Sequence, residues 1–238
     1  MNIVIDAGNT RTKVGIFEGD TFLQKHSFTL LSELISFLEK QSFANALVSS
    51  VGMAANEIGE HVRASSKCLT LSHTTALPVK ILYETPHTLG VDRVAAVCGA
   101  LALFPNRNCL VIDVGTCITY DWLDGQGNYH GGGISPGLDM RLKAMHTFTA
   151  RLPMVSVDPS IGLVGKSTQH CLQSGAWHGM LAEIEGVIGR YHEMSPLLQV
   201  VLCGGDARLF ENKLKHTIFA APDLVLNGLN RILLHNAD

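Results

Sequence analysis

Val4-Ile5-Asp6-Ala7-Gly8, near the start of the chain, and Val111-Ile112-Asp113-Val114-Gly115, near its middle, follow one pattern, V-I-D-x-G. Moving residue 4 onto residue 111, a shift of 107, superposes them. Each is an apolar strand that ends on a carboxylate, turns tightly at glycine and is followed by a returning strand. Self-similarity at a fixed offset is the signature of a repeated structural unit. The reading is a duplicated α/β chain, with halves 1–106 and 107–238 and a tight boundary near Pro105 to Asn108.

Working outward, the two halves open alike. In the first, Ile3–Asp6 is a strand, Gly8-Asn9-Thr10 a turn, and Lys13–Phe17 an alternating strand. Glu18-Gly19-Asp20 turns the chain into a third strand, Phe22–Phe28. Leu31, Leu34, Ile35 and Leu38 recur at helical spacing. Ala46–Ser50 and Val79–Tyr83 read as further strands. Thr88 is placed as the N-cap of a helix ending before Pro105, with Asp92 in its first turn. In the second half, Cys109–Asp113 is a strand, Gly115-Thr116 a turn, and a strand follows through Trp122. Asp124-Gly125 leads into Asn128–Gly133, and Pro136 suits the first turn of a helix carrying Leu138, Leu142, Met145 and Leu152 on one face. A long helix is expected from about Ser167 to Tyr191, with Gly175 and Gly179 marking a close helix contact, either a subunit interface or intramolecular packing. Leu198–Leu202 is a strand, Gly204-Gly205 opens a helix, and the last helix runs from about Leu224 to His235.

Composition narrows the function. The chain is 46% hydrophobic and 16% charged, against roughly 25% charged in ordinary soluble domains, which excludes a disordered protein. Lys and Arg number 18 and Asp and Glu 21, a net charge of −3 with no run of like charge, which argues against binding a nucleic-acid backbone. The longest uncharged apolar run, Val94–Phe104, is too short to span a bilayer, and Asp6 interrupts the first apolar run too early for a secretory signal. Six cysteines without C-x-x-C spacing are expected to be buried free thiols in a reducing compartment, and the histidines form no zinc pattern. A cytoplasmic protein without membrane or nucleic-acid partners is the expectation.

Each hairpin turn presents backbone N–H groups, glycine admits a bound anion closely, and Thr10 and Thr116 add hydroxyls. Phosphates bring Mg²⁺, a hard ion that takes carboxylate and water oxygens, so Asp6 and Asp113 suit such a site. Asp92 in Leu89-Gly90-Val91-Asp92-Arg93 has two readings. It is a first-turn carboxylate worth about 0.3–1 kcal/mol to the helix dipole, or a base that accepts a hydroxyl proton during phosphoryl transfer. Gly131–Gly137 and Gly204-Gly205-Asp206 are either anion-facing turns or plain strand-to-helix turns.

These elements in order resemble the type III pantothenate kinases, members of the actin/hexokinase/Hsp70-like phosphotransferase superfamily. Asp6-Ala7-Gly8-Asn9-Thr10-Arg11-Thr12-Lys13 resembles the family's first phosphate loop, and Asp113-Val114-Gly115-Thr116 the second. Tyr83 through Gly90-Val91-Asp92-Arg93 resembles the substrate segment; Gly132-Gly133-Ile134-x-Pro136-Gly137 and Gly165-Lys166-Ser167-Thr168 match two later signatures. The resemblance implies duplicated actin-like (ribonuclease H-like) domains with a nucleotide cleft between them. It implies phosphorylation of pantothenate by ATP, the first step of coenzyme A biosynthesis. Asp6, Ala7, Gly8, Asn9, Thr10, Arg11, Thr12, Lys13 and Thr116 would bind ATP, with Asp6 acting on Mg²⁺ largely through water. Asp113 would hold a monovalent cation, K⁺ or NH₄⁺. Tyr83, Gly90, Val91, Asp92 and Arg93 would contact pantothenate, with Asp92 as proton acceptor. Thr168 would contact pantothenate bound to the neighbouring subunit of a homodimer. Thr85 stands where the family usually has Asn, and Cys203 where it usually has Thr or Ser. The rival readings are another small-molecule kinase of the superfamily, separated by the Tyr83–Arg93 segment, and a non-catalytic nucleotide-binding accessory factor for transcription.

Overall fold

The structure is a computed structural model and describes residues 1–8, 11–50 and 55–237. Its first run of elements is β1 (Asn2–Ala7), β2 (Thr12–Glu18), β3 (Thr21–Phe28), α1 (Leu31–Leu38), β4 (Phe43–Ser50), α2 (Ala55–Glu60) and β5 (Ala64–Thr70). A short strand, β6 (Lys80–Ile81), and a 3-10 turn (Pro86–Thr88) lead into α3 (Val91–Leu103). The second run is β7 (Cys109–Val114), β8 (Cys117–Leu123), β9 (Asn128–Pro136), α4 (Leu138–Thr147), α5 (Thr168–Met194), β10 (Gln199–Cys203), α6 (Ala207–Phe210), β11 (Phe219–Ala220) and α7 (Leu224–His235). With β6, the 3-10 turn and α5 set aside, both runs read β-β-β-α-β-α-β-α.

Strand order repeats as well: β3-β2-β1-β4-β5 in one sheet, and β9-β8-β7-β10-β11, with β6 outside β9, in the other. β1 pairs antiparallel with β2 and parallel with β4, and β4 parallel with β5. β7 pairs parallel with β10, and β10 with β11. A strand flanked on both edges and covered on both faces reads as a continuous apolar run. Ile3, Val4 and Ile5, like Leu110, Val111 and Ile112, are fully buried. The duplicated α/β architecture expected from the V-I-D-x-G repeat is present.

Two compact units form. One comprises Met1–Asn106, Leu123–His130 and Asp223–Asp238; the other comprises Arg107–Trp122 and Gly131–Pro222. By contacts, then, α7 groups with the first unit, although it lies in the stretch 107–238. In that unit Ile3, Ile5, Val14, Ile16, Leu34, Leu38 and Val48 build one core. Helices α3 and α7 meet almost backbone to backbone: a Cβ on Gly228 would stand 2.7 Å from the Ala95 carbonyl carbon and 2.8 Å from the Gly99 nitrogen. The buried Asn230 of α7 donates to Gly19 O at 2.9 Å and accepts from Asn2 Nδ2 at 3.4 Å, while Asn45 Nδ2 donates to Asn2 Oδ1 at 3.1 Å. These bonds compensate the cost of burying amides. In the second unit Trp177, Met180, Ile184 and Ile188 of α5 pack on Leu110, Ile112 and Phe210, with the Trp177 and Phe210 rings stacked at 4.9 Å.

Several expectations change. The N-cap of α3 is Gly90, and Thr88 lies in the preceding turn, where its hydroxyl donates to Thr85 O at 2.9 Å. Pro136 ends β9 instead of opening α4, whose N-cap is Gly137. The strand at Val79–Tyr83 shrinks to Lys80–Ile81. The edge strand β5 had no sequence signal, because Ala-Ser-Ser-Lys-Cys-Leu-Thr is half exposed and needs no apolar run. All six cysteines are free, but Cys68 and Cys171 are exposed. Burial pushes the Cys98 and Cys109 thiols up to about 12, so they stay protonated. Gly175 and Gly179 face open space instead of a neighbouring helix of the same chain. Among the described residues no helix is long and apolar enough to cross a membrane.

Candidate functional site

The expected first phosphate loop grows out of the β1–β2 hairpin. Register pairs Asp6 with Lys13 across the antiparallel ladder and with Ser49 across the parallel one, which puts the three on one face. Asp6 and Lys13 are both half-buried, near the end of β1 and the start of β2. Ser49 is buried, and its Oγ has no hydrogen-bond partner among the described residues. Ala7 is buried in the core, Thr12 is half-buried, and Gly8 and Arg11 are exposed, with Arg11 O 3.4 Å from where a Gly8 Cβ would stand. Asn9 and Thr10 lie outside the described residues.

The segment expected to contact substrate is organised by the start of α3. Gly90 precedes the helix, and Asp92 in its first turn accepts from the Arg93 backbone N–H at 2.9 Å. A Cβ on Gly90 would stand 2.5 Å from Asp92 Oδ1, so only glycine leaves the carboxylate its place. Val91 is half-buried and Arg93 is buried, its guanidinium 6.0 Å from the centre of the Tyr83 ring. That ring and guanidinium form a cation–π pair. Thr85 shares its hydroxyl with Thr88 at 2.8 Å. The structure therefore brings Tyr83, Gly90, Asp92 and Arg93 together.

In the second unit, Asp113 is the last residue but one of β7 and pairs with Cys203 of β10. The topology makes Cys203 the counterpart of Ser49, each beside its half's aspartate. Gly115 N–H donates to Cys117 O at 2.9 Å, and Gly137 N–H donates to Thr116 O at 3.1 Å. Gly204 takes a left-handed backbone, φ +101°, and a Cβ there would stand 2.6 Å from Asp113 Oδ1. Asp206 N–H then donates to Val114 O at 2.9 Å. Burial, then the Asp139 carboxylate, push the Asp206 carboxyl above the ordinary aspartate range. The Asp113 corner thus offers oxygen donors and glycines that keep side chains away, which fits a hard cation. Among the described residues no group of three or more His, Cys, Asp or Glu side chains forms a metal cluster. Each aspartate fits an ion that takes its remaining ligands from phosphate or water.

Thr168 is the exposed first residue of α5. Ser167 caps that helix, accepting from His170 N–H at 3.2 Å, and a Cβ on Gly165 would stand 2.5 Å from Cys171 N. Gly165 and Ser167 therefore build the helix start that presents Thr168. Sequence reasoning passed over Tyr120, Arg141 and Glu183, which form one hydrogen-bonded set behind the second loop. Arg141 lies four residues past Gly137, in the turn that follows a glycine-rich stretch, and that spacing was the only available signal.

Comparisons with known proteins decide the family. The family model described as type III pantothenate kinase matches residues 2–190. The type III pantothenate kinase of Bacteroides fragilis is 45% identical, over 99% of this chain and 98% of that protein. That of Phocaeicola vulgatus is 43% identical, over 99% of both.

The chain belongs to the type III pantothenate kinase family.

Among solved structures, a Campylobacter jejuni protein described as a Baf family transcriptional activator aligns over 98% of both chains, with TM-score 0.67 and 20% identity. A ROK hexokinase from Thermus thermophilus aligns over 99% of both, with TM-score 0.52 and 12% identity. At such identities these likenesses speak for the duplicated actin-like fold alone. The family match spans both expected phosphate loops, the Tyr83–Arg93 segment and nearly all of α5.

Proposed function

We propose that this chain transfers the γ-phosphoryl group of ATP to the primary hydroxyl of pantothenate, giving 4′-phosphopantothenate and ADP, the first step of coenzyme A biosynthesis. The observation that carries the reading is family membership along the full chain with Asp6, Asp92 and Asp113 all in place. The chain is read as two actin-like halves, 1–106 and 107–238.

The pantothenate hydroxyl oxygen forms a bond to the γ-phosphorus. The bond from that phosphorus to the β–γ bridging oxygen breaks, and ADP leaves. Asp92 takes the hydroxyl proton. Such transfers depend on positioning and charge stabilisation more than on a strong base, so an aspartate suffices. Gly90 keeps the Asp92 carboxylate where the Arg93 N–H holds it. Tyr83, Val91 and the buried Arg93 shape the acceptor side. Residues 6–13 and Thr116 hold ATP. Asp6 would carry Mg²⁺ largely through water and Asp113 a K⁺ or NH₄⁺ ion, and these cations would offset the charge of the phosphates.

The working unit is a homodimer in which Thr168 reaches pantothenate bound to the partner subunit. The exposed face of α5 supports this. Cys171, Gly175, Gly179, Ala182 and Gly186 follow one another along it, and the glycines meet nothing within 4 Å in their own chain. Leu163 and Val164, just before the helix, are exposed as well. The proposed location is the cytoplasm.

The test is formation of phosphopantothenate by the purified protein with ATP and Mg²⁺, in K⁺ and in Na⁺ buffers. Product in K⁺ alone is expected, and Asp92→Asn is expected to remove nearly all turnover with the dimer intact. A folded dimer that makes no product in either buffer would overturn the reading.

A further inference from the structure

We infer that Arg141, locked by Glu183 and Tyr120, is a positioning residue that holds the second phosphate loop in place for ATP. The inference rests on the proposed role of Thr116 at the ATP phosphates.

Gly115 and Thr116 are small, and Gly115 N–H donates to Cys117 O across the turn between β7 and β8. Support for the loop also comes from behind. Gly137 N–H donates to Thr116 O at 3.1 Å, and a Cβ on Gly137 would stand 2.7 Å from that same oxygen. The Pro136–Gly137 turn is therefore pressed against the loop, and whatever fixes the turn fixes Thr116.

Arg141 fixes the turn. Its Nε donates to Pro136 O at 2.8 Å, and one terminal nitrogen donates to Ser135 Oγ at 3.1 Å. That same nitrogen also donates to Glu183 Oε2 on α5. The other oxygen of Glu183 accepts from the Tyr120 hydroxyl at 2.9 Å. Tyr120 lies on β8, the strand that leaves the loop, and is buried. The chain of contacts closes on itself: Thr116, Gly137, Arg141, Glu183, Tyr120 and back along β8.

The arrangement needs arginine. A planar fork donates in fixed directions to a carbonyl, a hydroxyl and a carboxylate at once, whereas a lysine ammonium is a point donor that satisfies fewer of them. Only about a fifth of the Arg141 side chain and a quarter of that of Glu183 are exposed. Removing one partner leaves a largely buried charge without its counterpart, so the set holds together or fails together. Burial works against ionised Glu183, but the hydrogen bonds from Arg141, Tyr120 and Ser135 outweigh it and keep the carboxyl below its usual range. The pair therefore stays charged at neutral pH.

The test compares Arg141→Met, Arg141→Lys and Tyr120→Phe with the wild type. The readouts are KM for ATP, KM for pantothenate, kcat, direct nucleotide titration with ADP, and urea unfolding. Arg141→Met is expected to raise KM for ATP about tenfold, the low end of what losing the hydrogen-bond partners of metal ligands costs. KM for pantothenate should stay within twofold, because its proposed contacts from Tyr83 to Arg93 belong to the other unit. Arg141→Lys should recover part of the loss. Tyr120→Phe, which keeps its ring in the core, should weaken ADP binding by a few-fold. If Arg141→Met fails to fold, the other two variants decide. Unchanged nucleotide affinity in a folded variant would overturn the inference, and so would equal loss for both substrates. A wild type that binds ADP but leaves pantothenate unphosphorylated would overturn the proposed acceptor instead, and the ADP titrations would still decide the role of Arg141.

Discussion

Replacing Gly90 by alanine tests the geometry around Asp92 with a single methyl group. The new Cβ would stand 2.5 Å from Asp92 Oδ1, whereas ordinary contact begins near 3.4 Å. The carboxylate must withdraw by about 1 Å, and the bond it accepts from Arg93 N–H at 2.9 Å is strained or lost. Stability should change little. The Gly90 backbone, φ −59° and ψ 129°, is open to alanine. The weaker N-cap, worth roughly 0.5–1 kcal/mol, opposes a similar gain from restricting the unfolded chain. Activity should change more. Misplacing a reacting group by about 1 Å costs on the order of a hundredfold, or roughly 2.7 kcal/mol of transition-state stabilisation. The assay is ADP release at saturating ATP and pantothenate, with circular dichroism as the control for folding. Asp92→Asn sets the floor. If the alanine acts through the proposed base, Gly90→Ala combined with Asp92→Asn loses no more than Asp92→Asn alone. A Gly90→Ala enzyme within threefold of wild-type kcat would refute the reasoning, and so would full additivity in the double variant.

Gly228→Ala should destabilise the first unit, because its Cβ meets backbone of Ala95 and Gly99 that cannot rotate away. Overpacking at the upper end of about 1–3 kcal/mol exceeds the helix-propensity gain of about 1 kcal/mol, so the net loss is about 2 kcal/mol in urea unfolding. An equal or higher midpoint would count against the close α3–α7 packing. Gly179→Leu on the open face of α5 should leave each chain folded but yield monomers in sedimentation; a dimer of unchanged affinity would remove α5 from the proposed interface. Asp124 accepts from His130 Nε2 at 2.8 Å, from Asn128 and from Gln126 N–H. Burial works to raise its carboxyl, but these bonds outweigh it and hold it at about 2, below the ordinary 3.8. A depressed value means stability that is present above pH 4 and lost as pH falls through 2. Asp124→Asn should flatten stability against pH in that window, and an unchanged profile would show that the hairpin does not contribute.

The V-I-D-x-G pattern was enough to find the duplication, because a central strand buried on both faces must be written as an unbroken apolar run. The last helix was read at Leu224–His235, the bounds it has, from its own periodicity. The aspartates at 6, 92 and 113 were legible for a related reason: strand-end turns and helix starts use short local motifs. β5 was not legible, since an exposed edge needs no apolar signal. What the tertiary structure alone decided is where distant residues meet. Gly228 matters because it lies on Ala95, Gly204 because it lies on Asp113, and Arg141 because Glu183, 42 residues later, faces it. No local period encodes such meetings. They follow from how helices and strands pack, and close packing turns a glycine or an arginine that looks ordinary in the sequence into one with a single acceptable side chain.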